Sequence, residues 1–275
     1  MSDKSTSFHQ TIDLNASELK EVERATEAFE KHHVIVLRNA FRDSSRLINT
    51  REKIKDILSS YAQKEASKRT EAEKNSIKKQ QLSLHDLSAH NGHEVDLALD
   101  GWVNGNFRPE AVQIISDLLS GGPRINISRT TIRKKEGKES FLLPFHQDAR
   151  SPSTITPRVL TCWIPMCDVG DNRPGLEIIP VPLDVVLEDD NDESGYRGPK
   201  GRIRGPGDDW VMKTYGESAW APKLQLGDCM IFSGDVLHRS QIMENAEERT
   251  SIDVRIFSST NVPEKYTNDI SVELI

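Results

Sequence analysis

From residue 124 onward the sequence breaks into short β-branched runs punctuated by Gly, Pro and Asp, and no other feature limits the fold as much. Residues 124–133 (RINISRTTIR) are rich in Ile and Thr and alternate as a strand does. Further short strands are predicted at 159–164, 176–179, 228–232 and 251–257. A chain of many short strands buries its apolar faces as a sandwich or barrel. Between them lies 188–209 (EDDNDESGYRGPKGRIRGPGDD), whose acids lack calcium-loop spacing. It reads as a long solvated loop that can also serve as an active-site lid, placed at about 185–215.

The first half has a different character. Asn15-Ala16-Ser17-Glu18 carries the side-chain types of a capping box, and Leu19, Val22, Ala25 and Phe29 follow at helical spacing up to His32 and His33. Val34-Ile35-Val36-Leu37 is short, continuous and β-branched, hence a buried strand. A second helix begins near Asp43, with Leu47, Ile54, Ile57, Leu58 and Tyr61 on one face. The basic stretch 64–79 reads as a solvated helix end plus linker. A third helix starts at Pro109, buries Ile114, Ile115, Leu118 and Leu119, and is terminated by Gly121-Gly122.

Composition sets outer bounds. A net charge of -7 argues against a dedicated nucleic-acid binder, which needs a basic face. Three cysteines (Cys162, Cys167, Cys229) make no disulfide framework and fit a reducing compartment, where they act as small buried hydrophobes. No apolar run reaches a membrane span, and the start Met1-Ser2-Asp3-Lys4 lacks a secretory layout. A cytoplasmic protein with no membrane partner is therefore expected. Walker, Rossmann and Ser-His-Asp elbow patterns do not occur.

The chemistry concentrates at Phe145-His146-Gln147-Asp148. Residues i and i+2 of an extended chain point the same way, so His146 and Asp148 can aim at one point. An imidazole and a carboxylate make two thirds of a facial metal site, and His238, after the strand-like 227–232, is the natural third ligand. Two histidines and one carboxylate cover one face of an octahedral ferrous ion and leave three positions open. By itself an H-x-D pair is equally a hydrogen-bonded structural pair. Downstream, Ser240 follows His238, and Arg249 in Glu247-Glu248-Arg249-Thr250-Ser251 offers a guanidinium fork able to clamp a carboxylate. The bland alternative for Arg249 is a surface ion pair with Glu247 or Glu248.

Taken in order, TTIR (Thr130 to Arg133), PFHQD (Pro144 to Asp148), the tryptophan of CWIP (Cys162 to Pro165), RPGLEIIP (Arg173 to Pro180), LGD (Leu226 to Asp228) and HRS (His238 to Ser240), with Arg249 beyond, form a pattern. This pattern resembles the phytanoyl-CoA dioxygenase family of iron(II)/2-oxoglutarate oxygenases, nearest to its natural-product hydroxylases of the deoxypentalenic acid hydroxylase kind. The resemblance is strong over about half of the chain and looser over most of it. It implies a mainly β fold, a double-stranded β-helix (jelly-roll, cupin-like) core flanked by α-helices. One domain over 1–275 is expected, with 1–123 mostly helical and 124–258 forming the barrel. His146, Asp148 and His238 are implied as ligands of Fe(II), with Arg249, assisted by Ser240, on the distal carboxylate of 2-oxoglutarate. Dioxygen is the second co-substrate, and succinate and CO2 are released. Retention of Asp148, which related halogenases replace with Gly or Ala, points to hydroxylation or desaturation. One departure stands out: Pro180-Val181-Pro182-Leu183 occupies the place of the family's Pro-Gly-Ser-His, which bears on the lid and substrate and leaves the metal set untouched.

The expected substrate is a small molecule, more in keeping with a specialised metabolite than with an acyl-CoA. Arg133 ends the strand before His146 and is a candidate for holding a substrate carboxylate or phosphate. Arg129 shares its face if alternation holds, and strand-edge arginines often simply meet solvent. Trp163 either packs the core or lines the substrate pocket. His85, His90 and His93 are loop histidines near the cavity mouth, or else a second metal cluster. Two other functions compete: a catalytically silent ligand-binding barrel, and a non-oxidative metal-dependent isomerase or hydrolase on the same fold.

Overall fold

The computed structural model describes residues 12–66, 81–83, 105–135, 143–149, 155, 158–187, 197–198, 201–202 and 205–275. His85, His90, His93, the greater part of the basic stretch 64–79 and the 188–196 part of the expected lid lie outside them. In chain order the elements are β1 (Asp13–Asn15), α1 (Leu19–His32), β2 (Val34–Arg38), α2 (Ser44–Ala66), β3 (Gln81–Ser83) and α3 (Pro109–Leu119). They continue with β4 (Pro123–Lys135), β5 (Val159–Pro165), β6 (Leu176–Ile178), the short hairpin β7 (Arg197–Gly198) and β8 (Gly201–Arg202), and α4 (Asp208–Tyr215). β9 (Cys229–Ser233), β10 (His238–Ser240), β11 (Arg249–Ser258) and β12 (Ser271–Glu273) complete them.

One eight-stranded sheet runs β1-β2-β9-β5-β11-β4-β12, with β3 also on β4. A smaller layer pairs β10 with β6. Together they make the mainly β, jelly-roll fold with flanking helices that the family resemblance implies. The central strands β5 and β9 are buried along their whole length, which is why they read as continuous apolar runs rather than alternating ones. Cys162 and Cys229 are fully buried there, and the three cysteines are free thiols.

α1 and α3 close over the sheet. α3 buries Ala111, Ile114, Ile115, Leu118 and Leu119, a stripe at helical spacing, and Ala25, Ala28 and Phe29 of α1 join the same core. Both helices end on a left-handed residue that is not glycine: His33 (φ 55°) after α1 and Ser120 (φ 53°) after α3. The expected glycine stop thus moves by one residue. Gly121 instead lets the backbone approach β11, since a Cβ there would sit 2.5 Å from Ser258 Oγ. The capping box also takes another form. Glu18 occupies the cap position without a side-chain cap bond, and Asn15 organises the turn by accepting from Ser17 N–H (3.2 Å) and donating to Glu18 Oε1 (3.0 Å).

β4 is irregular where it meets β11. The pairing runs Asp253↔Thr131 and then Arg255↔Asn126, so residues 127–130 bulge out of register. Among the described residues, no helix is long and apolar enough to cross a membrane.

Candidate metal centre

His146 and His238 face each other across an antiparallel bridge. His146 N–H donates to His238 O (3.0 Å) and His238 N–H to His146 O (3.1 Å), so two residues far apart in sequence become direct neighbours. Their rings lie 4.3 Å apart between centroids. Asp148, two residues on, brings its carboxylate to the same point. The three donor atoms lie within 4.8 Å of one another and make a group that could hold a metal ion.

Each ligand is held by a second contact. His146 Nδ1 is 2.8 Å from Pro144 O and His238 Nδ1 3.1 Å from Val236 O, which sets Nδ1–H as donor and turns each Nε2 lone pair inward. Burial, reinforced by the neighbouring His238, pushes the His146 imidazole down to about 3, and burial likewise lowers His238. Both rings are therefore neutral at physiological pH and able to offer a lone pair to a metal ion. For Asp148, burial alone would raise the pKa. The Arg255 charge at 2.7 Å outweighs it, aided by both histidines and by a 2.7 Å bond from Thr161 Oγ1, so the carboxylate stays ionised.

Gln147, between the ligands, donates to Asp235 O (2.6 Å) and Val185 O (2.8 Å) and accepts from Leu187 N–H (2.7 Å). Asp235 in turn accepts from Leu183 and Asp184 N–H and meets His33 Nδ1 at 2.9 Å. The Pro180-Val181-Pro182-Leu183 departure is thus tied to the metal centre through Gln147 and Asp235. The hydrogen bond that His33 donates to Asp235 raises the His33 pKa against the opposing effect of burial. A raised histidine stabilises the fold fully below its unfolded value of about 6.5 and loses that contribution as pH rises through the folded value. The destabilisation caused by His33→Gln is therefore expected to be larger near pH 6 than near pH 9 in urea melts. An equal penalty at both would contradict the assignment.

A cavity beside the triad is lined by Arg133, Trp163, Arg239, Ser240, Arg249 and Asp253, together with both histidines. Arg249 is 1% exposed. Its Nη1 donates to Ser251 Oγ (2.6 Å), its guanidinium lies 5.0 Å over the Trp163 ring, and its Nε has no hydrogen-bond partner. Burial lowers its pKa to about 10, which leaves it charged. The surface ion pair expected as the bland alternative does not form: Glu247 pairs with Arg173 (2.7 Å) and Glu248 with Lys134 (3.2 Å). Trp163 Nε1 and Asp253 Oδ1 are likewise buried without partners.

Ser240, the candidate Arg133, and Trp163, for which the sequence leaves core packing and pocket lining open, all line this cavity, with Arg133 ion-paired to Asp253. Arg129 needs correction. It lies in the β4 bulge, which breaks the alternation that would align it with Arg133, and it pairs with Asp269 (2.9 Å) near Tyr266. Asp253, Arg255 and Thr161 were missed. For Asp253 and Arg255 a signal is in the sequence: Arg249, Ser251, Asp253 and Arg255 recur with period two against the apolar Ile252, Val254 and Ile256.

The family model for phytanoyl-CoA dioxygenase matches residues 15–251, well over half of the chain. The chain belongs to the phytanoyl-CoA dioxygenase family. Membership makes it an enzyme of the 2-oxoglutarate-dependent oxygenase class. A search of curated proteins by sequence finds no match. Among solved structures, the family fold recurs in EctD from S. alaskensis, crystallised with 2-oxoglutarate and 5-hydroxyectoine (TM-score 0.59, 17% identity, 88% of this chain and 77% of that one). It recurs in the epimerase SnoN, crystallised with Fe3+, alpha-ketoglutarate and nogalamycin RO (TM-score 0.53, 15% identity, 88% and 86%). AviO1 from Streptomyces viridochromogenes Tue57 is a third (TM-score 0.56, 16% identity, 88% and 96%). At these identities the likeness concerns the fold alone.

Proposed function

We propose that this family member is an Fe(II)/2-oxoglutarate-dependent dioxygenase that oxidises an unactivated C–H bond of a small molecule, in keeping with a specialised metabolite. Succinate and CO2 are the released co-products. The observation that carries this reading is the buried Arg249 guanidinium, which forms no ion pair among the described residues yet lines the same cavity as His146 and His238. A buried charge left without a counter-ion is costly, so its retention fits a ligand that brings the carboxylate.

His146, Asp148 and His238 would hold Fe(II); the bound ion supplies activation of dioxygen and of the 2-oxo acid. The protein's share is placement. Arg249, with Ser240 nearby, receives the distal carboxylate of 2-oxoglutarate, Arg255 and Thr161 keep Asp148 ionised and aimed, and Trp163 walls the cavity. Arg133, neutralised by Asp253, and Trp163 are the candidates for touching substrate. Asp148 fills the carboxylate position, which favours hydroxylation or desaturation over halogenation. EctD and SnoN, with 5-hydroxyectoine and a nogalamycin as their respective bound molecules, support a polar small-molecule substrate. Residues 1–275 are proposed to act as one domain: β2, near the amino terminus, pairs with β9, which leads into His238. A cytoplasmic setting agrees with the free cysteines.

The test is anaerobic addition of Fe(II) and 2-oxoglutarate, followed by dioxygen. A weak visible charge-transfer band and oxygen-dependent succinate release are expected. Turnover that needs neither 2-oxoglutarate nor dioxygen would replace this reading with a non-oxidative one.

A further inference from the structure

Asp208, the first residue of α4, makes two contacts at the metal centre without touching either histidine. Its Oδ1 accepts from Phe145 N–H at 2.7 Å, and its Oδ2 accepts from Arg239 Nη1 at 2.7 Å. Phe145 immediately precedes His146, and Arg239 immediately follows His238. One carboxylate therefore spans the chain neighbours of both imidazoles, on the very pair of segments whose backbones exchange hydrogen bonds.

The surroundings make this contact specific. Arg239 stacks over the Phe145 ring at 4.4 Å, and its Nε is fixed by Glu177 at 2.6 Å. Phe145, Ile179, Val211 and Leu237 form a small apolar cluster of their own, which seats α4 over the two strands. Just before the helix, Gly205 lies so close that a Cβ would sit 2.3 Å from Phe145 O. Apolar contact is non-directional and leaves a helix free to slide and roll. Charge-assisted hydrogen bonds are directional, and here they set the height and tilt of the peptide that carries His146 relative to the one that carries His238.

We propose that Asp208 is a positioning residue for the metal centre, acting through Phe145 and Arg239 to fix the mutual placement of His146 and His238. The inference rests on the metal-binding reading of those histidines.

The test uses Mn(II) and Co(II) as probes on full-length metal-free protein: Mn(II) affinity from the EPR signal of the free ion, and ligand geometry from the Co(II) visible spectrum. Asp208→Ala is expected to weaken Mn(II) binding about ten-fold or more, the range for loss of a group that orients a ligand, and to alter the Co(II) spectrum. Asp208→Asn should fall between, because its carbonyl can still serve Phe145 N–H while Arg239 loses a carboxylate. Glu177→Gln is the matched control: it removes the other ion pair of Arg239 and touches no neighbour of His146, so near wild-type affinity is expected. Wild-type affinity and spectrum in Asp208→Ala, or an equal loss in Glu177→Gln, would overturn the proposal. If Asp208→Ala lacks a cooperative urea transition, Asp208→Asn decides, and a wild-type affinity and spectrum there overturns it. Failure of the wild-type protein itself to bind Mn(II) would instead strike at the metal centre and the function built on it.

Discussion

His146→Ala is expected to abolish the Fe(II)/2-oxoglutarate charge-transfer band while leaving a folded protein. The reasoning separates side chain from backbone. The bridge between His146 and His238 is made by main-chain atoms, which alanine supplies equally well, so the His146 segment stays paired with β10. What is lost is one of three donors to a group whose members sit within 4.8 Å of each other. Removal of a group that only orients a ligand costs about 10–100-fold in metal affinity, so removal of a ligand should cost at least about 100-fold. Metal titration and the visible band measure this directly, and a persistent urea transition confirms the fold. A band of wild-type intensity in the variant would sink the ligand assignment.

Arg249→Met should have opposite effects on ligand binding and on stability. Breaking a buried charge contact typically costs about 2–5 kcal/mol, hence a 2-oxoglutarate Kd raised by roughly 30- to several thousand-fold. In the ligand-free protein the same guanidinium is buried with an unpartnered Nε, and its charge is offset by Ser251, the Trp163 face and the nearby Asp253, which is itself paired with Arg133. An apolar chain of similar length removes that penalty, so the urea midpoint of the ligand-free variant is expected to hold or rise. Titration of the band with 2-oxoglutarate and paired urea melts check both halves. A variant that binds 2-oxoglutarate as tightly as the wild type would show that the carboxylate docks elsewhere.

Much of this was legible in the residues. β4 follows its alternation and β5 and β9 their continuous apolar runs, and the spacing of His146 and Asp148 suggests a shared side, whereas His238 needed the wider motif order to be picked out. Features that depend on a partner strand were hidden. Arg129 and Arg133 look equivalent in sequence, but the bulge opposite Asp253 and Arg255 sends Arg129 to Asp269, and no local pattern marks such a break. Ser120 took the left-handed position expected of Gly121 because Gly121 was needed for close approach to Ser258. Asp208 reads as an ordinary acid at a helix start, and only the fold brings Phe145 and Arg239 to it.

The strand order of the large sheet also governs when this site can come into being. Val34 pairs with Phe232, Leu160 pairs with both Ile256 and Ser233, and Asp148 is steadied by Arg255. Nearly every neighbour in the sheet is remote along the chain, a topology that folds slowly because long loops must close before any pairing repays them. During synthesis, His146 and Asp148 leave the ribosome well before His238 and Arg255 exist. The nascent chain therefore lacks the third candidate ligand until β10 is made, and the Arg255 partner of Asp148 until β11 is made, so the complete site forms late in synthesis.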